Sequence, residues 1–97
     1  MHYMIRIELH HTANYDSLYT ALARRKIVKT ISGSDGHTYE LPTGTYYYFG
    51  NSTAESVRTA AIAAATEAGH PNAAVMVSEG SKIVWQGLAK VAYRKQA

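Results

Sequence analysis

The chain has no cysteine in its 97 residues. That excludes disulfides and thiolate metal sites and leaves no sign of an oxidising compartment. No apolar run approaches the roughly 18 residues needed to span a bilayer. The N-terminus also lacks the basic, apolar and small-residue succession of a signal peptide, so the chain reads as soluble, cytoplasmic and free of any membrane. Phosphate-cradling glycine loops are missing as well. Gly33-Ser34-Asp35-Gly36 matches neither a P-loop nor a dinucleotide fingerprint, and it precedes a strand rather than a helix. The chain contains no HxH, HxxxH or carboxylate triad, and no nucleophile elbow. Internal repeats and low-complexity linkers are absent too. At this length residues 1–97 form one domain, large enough for a core but small for an enzyme with a deep pocket.

What is present begins with Tyr3-Met4-Ile5-Arg6-Ile7-Glu8-Leu9-His10-His11, which alternates strictly. Tyr3, Ile5, Ile7 and Leu9 share one face of a strand and must be buried; Met4, Arg6, Glu8 and His10 share the other. A helix-covered core would not tolerate that charged row unpaired. The strand therefore belongs to a sheet covered by helices on one side and open on the other. Tyr15, Leu18, Tyr19 and Leu22 then mark a helix over about Asn14 to Lys26, with Asp16 in its first turn and Arg24-Arg25-Lys26 at its end. Ile27 to Ile31 reads as a second strand, Ser32 to Gly36 as a turn and His37 to Leu41 as a returning arm. Pro42-Thr43-Gly44 interrupts, and Thr45 to Phe49 resumes extended structure.

Ser52-Thr53-Ala54-Glu55 has the form of a capping box, opening a helix that runs to about Ala68 and stops at Gly69. Its core stripe is Val57, Ala61, Ala64, Ala65 and Ala68. Ala73 to Val77 is the next strand, Ser78 to Ser81 a hairpin turn and Lys82 to Trp85 a short returning edge strand. Leu88 to Ala97 reads as a short helix or a frayed end. The fold class is α+β: a ferredoxin-like β-α-β-β-α-β sandwich with an extra C-terminal strand and two helices on one face of an antiparallel sheet.

The formal charge is +3. Arg24, Arg25, Lys26 and Lys29 cluster in one segment, and Lys90, Arg94 and Lys95 in another, together seven of the ten cations. Such clusters suit a polyanion or an acidic protein surface; they equally suit solvated ends, one of them a helix C-terminus. Eight tyrosines are the other departure from the ordinary, and tyrosine is favoured at interfaces. Five histidines invite a metal, but His10 and His11 point to opposite faces of a regular strand. His2 and His10 stand roughly 26 Å apart. The sequence thus calls for no metal and no cofactor.

Tyr47 and Phe49 read as the core face of their strand, which leaves Tyr46 and Tyr48 beside Arg6 and Glu8 on the open face. Aromatics and arginine on an exposed sheet stack bases and hold phosphate. The same surface can instead bury itself in a two-fold dimer. His10 or His11, at the end of the first strand, is placed to act as a general base on a ribose hydroxyl, with a nearby Arg or Lys stabilising the phosphorane.

Three stretches, YMIRIELHH, YDSLYTALARRKIVKTISGSDGHTYELPTGTYYY and STAESVRTAAIAAATEAG, make the layout resemble the GhoS endoribonuclease antitoxin family. Those are small ferredoxin-like proteins similar to the CRISPR adaptation nuclease subunit. The resemblance implies a homodimer that binds and cleaves a toxin transcript. The related CRISPR subunits carry a metal-organising aspartate at the end of the first strand. Leu9-His10-His11 stands there in this chain, a departure from that pattern, so the expected mechanism is metal-free and uses His10, His11 and Arg6, with Arg24, Arg25, Lys26, Lys29, Tyr46 and Tyr48 on the nucleic acid or partner. The alternative is a non-catalytic, phage- or plasmid-encoded module that binds a host protein and inhibits a defence complex, as anti-CRISPR proteins do.

Overall fold

The structure is a computed structural model and describes residues 1–9, 15–80 and 82–91. Strand β1 (His2–Glu8) lies between β4 (Thr45–Phe49) and β5 (Ala74–Gly80), antiparallel to both. Its alternation sets the layers. Tyr3, Ile5, Ile7 and Leu9 are buried, while Arg6 and Glu8 are exposed. Helix α1 (Tyr15–Ala23) buries Leu18, Ala21 and Leu22 against that face. Helix α2 (Ala54–Glu67) adds Val57, Ala61, Ala64 and Ala65 to the same cluster. The alanine stripe brings α2 close to the sheet; a larger side chain there costs about 1–3 kcal/mol in overpacking.

A second antiparallel pair, β2 (Thr30–Ser32) and β3 (Thr38–Glu40), is tied to the free side of β4 at one point. Val28 and Tyr47 exchange backbone hydrogen bonds of 2.9 and 2.8 Å. The described residues form a mixed α+β domain with two helices and five antiparallel strands, consistent with a ferredoxin-like arrangement.

Both helix C-termini close with a Schellman pair. In α1 the Ile27 amide donates to Leu22 and the Lys26 amide to Ala23, at 3.1 and 3.0 Å. Lys26 holds φ 64°, where glycine is the usual occupant. The helix thus stops at Ala23, and Arg24-Arg25-Lys26 forms the closing turn rather than helix. In α2 Gly69 takes the equivalent place.

Three further expectations are corrected. The cap of α2 is Thr53, whose hydroxyl accepts the Ser56 amide at 3.0 Å. Ser52 is engaged elsewhere: its carbonyl accepts the Tyr3 hydroxyl, and its own hydroxyl stands 3.4 Å from that of Tyr48.

The C-terminal hairpin also does not form. Ser78-Glu79-Gly80 continues β5 because Met4, Tyr3 and His2 of β1 need partners there. Residues 82–91 instead run to the far pair of strands. Trp85 packs on Tyr39 with ring centroids 5.5 Å apart. The Glu40 amide donates to Ala89 and the Val91 amide to Thr38, so 89–91 pairs antiparallel with β3. Residues 88–91 are therefore neither helix nor frayed end, and residues 92–97 lie outside the described part of the chain.

Candidate functional site

The face of the sheet away from the helices is built by the register of β1, β4 and β5. Met4 is paired with Tyr47 and His2 with Phe49, so these side chains share the open face. Across the other edge of β1, Met76 stands opposite Arg6 and Ser78 opposite Met4. His2 lies between two rings, 5.1 Å from Phe49 and 5.7 Å from Tyr47. Its Nδ1 shares a 2.5 Å hydrogen bond with the Tyr47 hydroxyl. Phe49 is 63% exposed and Met76 67%. The face is therefore an aromatic and thioether surface, with charge confined to its Arg6–Glu8 end.

Tyr46 and Tyr48 are not on that face. Tyr46 pairs with Ile5 and Tyr48 with Tyr3, both on the core side. Tyr46 is buried, and burial pushes its hydroxyl up to about 12. Tyr48 is half-buried against the core. The strand phase is set by the turn before it. The Thr45 amide donates to Pro42 at 2.9 Å, and the Ile7 amide donates to Gly44 at 2.8 Å. That fixes Thr45, Tyr47 and Phe49 opposite the open residues of β1. In the run Tyr46-Tyr47-Tyr48 polarity carries no phase, and Phe49 ends up at the strand's exposed end.

Arg6 is on the open face, half exposed. Its Nη1 donates to the Thr43 carbonyl at 3.0 Å and to the Thr45 hydroxyl at 3.3 Å, and its Nη2 stands 3.8 Å from Glu8. The basic segment lies elsewhere. Arg24 and Arg25 both reach Glu67 of α2, at 2.6 and 3.0 Å. Lys26 sits in the α1 closing turn, and the Lys29 ammonium lies 4.8 Å from the centre of the Tyr19 ring. Arg24 and Arg25 thus brace the helical layer and do not converge with Arg6. His10 and His11 lie outside the described residues.

Beside the ring row is a cleft of about 460 Å³, in the size range of small-molecule sites. His2 and Tyr47 form one wall, and the β2–β3 turn with residues 82–85 forms the other. Ile31 is buried yet stands outside the main core and lines this cleft. Asp35 accepts the Tyr39 hydroxyl at 2.5 Å and the His37 amide at 3.0 Å. Those bonds, the Tyr39 one first, hold its carboxyl below the ordinary carboxylate value. The Tyr39 hydroxyl is raised in return by the carboxylate it donates to, and burial raises that of Tyr47.

None of His2, Tyr47, Phe49, Asp35, Tyr39, Lys82 and Trp85 stood out in the sequence as a site residue. The one usable signal was His2, two positions before the charged row on the same strand parity. Among the described residues no group of three His, Asp or Glu stands together to hold a metal ion, and no helix is long and apolar enough to cross a membrane.

In comparisons with known proteins, no family model, curated protein or solved structure matches the chain.

Proposed function

We propose that this chain is a small RNA-binding protein of ferredoxin-like topology that holds single-stranded RNA on the open face of its sheet. The observation that carries the reading is the row His2, Tyr47 and Phe49 on β1 and β4, with two ring separations under 6 Å. Unpaired bases stack on such rings, each stack contributing about 1–3 kcal/mol with little sequence preference. Arg6 is half exposed further along the same strand, with guanidinium N–H groups to spare for a phosphate. The resemblance to GhoS antitoxins extends this to cleavage of a toxin transcript by a homodimer, with His10 or His11 as base and Arg6 on the developing phosphorane charge.

Fluorescence anisotropy of a labelled single-stranded RNA, titrated at low and high salt, tests the binding. The expected result is affinity that falls with salt and drops about tenfold in Phe49→Ala or Tyr47→Ala. Binding unchanged in both variants rejects the open face as the RNA surface. Running the same RNA on a denaturing gel tests cleavage, which a His10→Ala/His11→Ala double variant is expected to abolish.

A second reading has its own observation. Met76 and Phe49 are each about two-thirds exposed, and Met4 lies on the same face between their strands. Such a patch suits a protein partner, as an anti-CRISPR-type inhibitor would need. A single host protein retained by the wild type and lost in Met76→Asp, together with no RNA binding, favours this second reading.

A further inference from the structure

We propose that the cleft lined by His2, Tyr47, the β2–β3 turn and residues 82–85 is a base-reading pocket selective for guanine. This deepens the RNA-binding reading and rests on it. His2 and Tyr47 belong both to the ring row and to the cleft wall. A strand stacked on the open face therefore meets the mouth of the cleft at its next base.

The selectivity comes from Asp35. Each oxygen of its carboxylate already takes one bond, from the His37 amide and from the Tyr39 hydroxyl, and each keeps a second lone pair. A carboxylate is acceptor-only, so the base it prefers presents two N–H donors side by side. Guanine does so through N1–H and its exocyclic amino group. Adenine, cytosine and uracil each place a ring or carbonyl acceptor next to their donor on that edge, which would face the carboxylate unpaired.

The walls suit a flat ring. Trp85 and Tyr39 pack at 5.5 Å with their planes tilted by 60°, and Ile31 adds apolar lining to the cleft. Lys82 also lines the cleft and provides a cation for the nucleotide phosphate. Gly33 lets Asp35, Tyr39 and Trp85 close in on bare backbone. A methyl group there would lie 2.8 Å from the Asp35 carboxylate, 3.1 Å from the Tyr39 ring and 3.4 Å from Trp85.

Trp85 is the chain's single tryptophan, so its emission reports directly on this cleft. The test titrates the full chain with GMP, AMP, CMP and UMP while following that emission. GMP is expected to quench at concentrations about tenfold or more below the others, in line with a bidentate contact. Asp35→Asn is expected to remove the preference while circular dichroism shows an unchanged fold. Gly33→Ala, which leaves the carboxylate in the chain but crowds it, is expected to weaken GMP quenching and carries the test if Asp35→Asn unfolds.

Equal quenching by all four nucleotides, no quenching by any, or a preference that survives Asp35→Asn overturns the proposal. A parallel anisotropy titration with a uridine oligonucleotide separates the two readings. Oligonucleotide binding without GMP selectivity overturns the cleft alone. GMP selectivity without oligonucleotide binding overturns the RNA reading and leaves a guanine nucleotide site.

Discussion

Gly44→Ala is the substitution whose cost follows most directly from the geometry. Gly44 holds φ 86° in the turn that sets the phase of β4. An L-residue there costs about 1 kcal/mol in backbone strain. The added Cβ would also stand 2.8 Å from the backbone oxygen of Ile7. That oxygen belongs to the central strand and cannot swing aside as a flexible side chain would, so about 1–3 kcal/mol of steric strain adds to the first term.

Gly36 supplies the control. Its φ is 85°, but nothing lies within 4 Å of its would-be Cβ, so Gly36→Ala carries only the backbone term of about 1 kcal/mol. With roughly 4–8 °C per kcal/mol for a domain of this size, Tm should fall by about 8–32 °C for Gly44→Ala and about 4–8 °C for Gly36→Ala. Thermal unfolding by circular dichroism reads both. Equal shifts in the two variants would refute the close approach of the turn to β1, and with it the phase that puts Tyr47 and Phe49 on the open face. Because Arg6 Nη1 lies 3.4 Å from the same Cβ position, Gly44→Ala should also weaken any RNA binding that depends on Arg6.

The other expectations are smaller in scale. Lys26→Gly should stabilise the protein by about 0.5–1 kcal/mol, read as a higher Tm, because Lys26 holds φ 64° without glycine's freedom; a lower Tm would contradict the closing turn. Glu67→Gln removes the shared partner of Arg24 and Arg25, both at least partly solvent-exposed, and should cost no more than about 1 kcal/mol. An Arg24→Ala/Arg25→Ala double variant should leave RNA affinity within about twofold, whereas Arg6→Ala should lower both the affinity and its salt slope by about one phosphate contact. Asp35 is depressed by the Tyr39 and His37 bonds, so its support for the β2–β3 turn is complete above the ordinary carboxylate value of 3.8 and is lost as pH falls below it. Trp85 emission should therefore hold steady from neutral pH down to about 5 and change only near and below that value; a transition centred near neutrality would implicate another group.

How much of this was legible in the sequence depended on whether the signal was local. Tyr3, Ile5, Ile7 and Leu9 alternate without exception, and all four are buried as that pattern demands. The alanine positions of α2 likewise declared its buried side. Tyr46-Tyr47-Tyr48 offered no such contrast, and its phase came from a turn hydrogen bond to β1 that periodicity does not encode. Arg24 and Arg25 looked like a free basic patch because their partner, Glu67, lies more than forty residues away. Trp85 ended in the cleft rather than in a hairpin because Tyr39 and Gly33 offer it a ring and a bare backbone to pack on. Tertiary contacts decided these cases over local pattern.

Ultraviolet crosslinking of a bound single-stranded RNA, read residue by residue by mass spectrometry, locates the surface that holds it. Adducts on His2, Tyr47 or Phe49 are the expected result. Adducts confined to the helical side, at Tyr19 or the segment from Arg24 to Lys29, would contradict the open sheet face as the RNA surface.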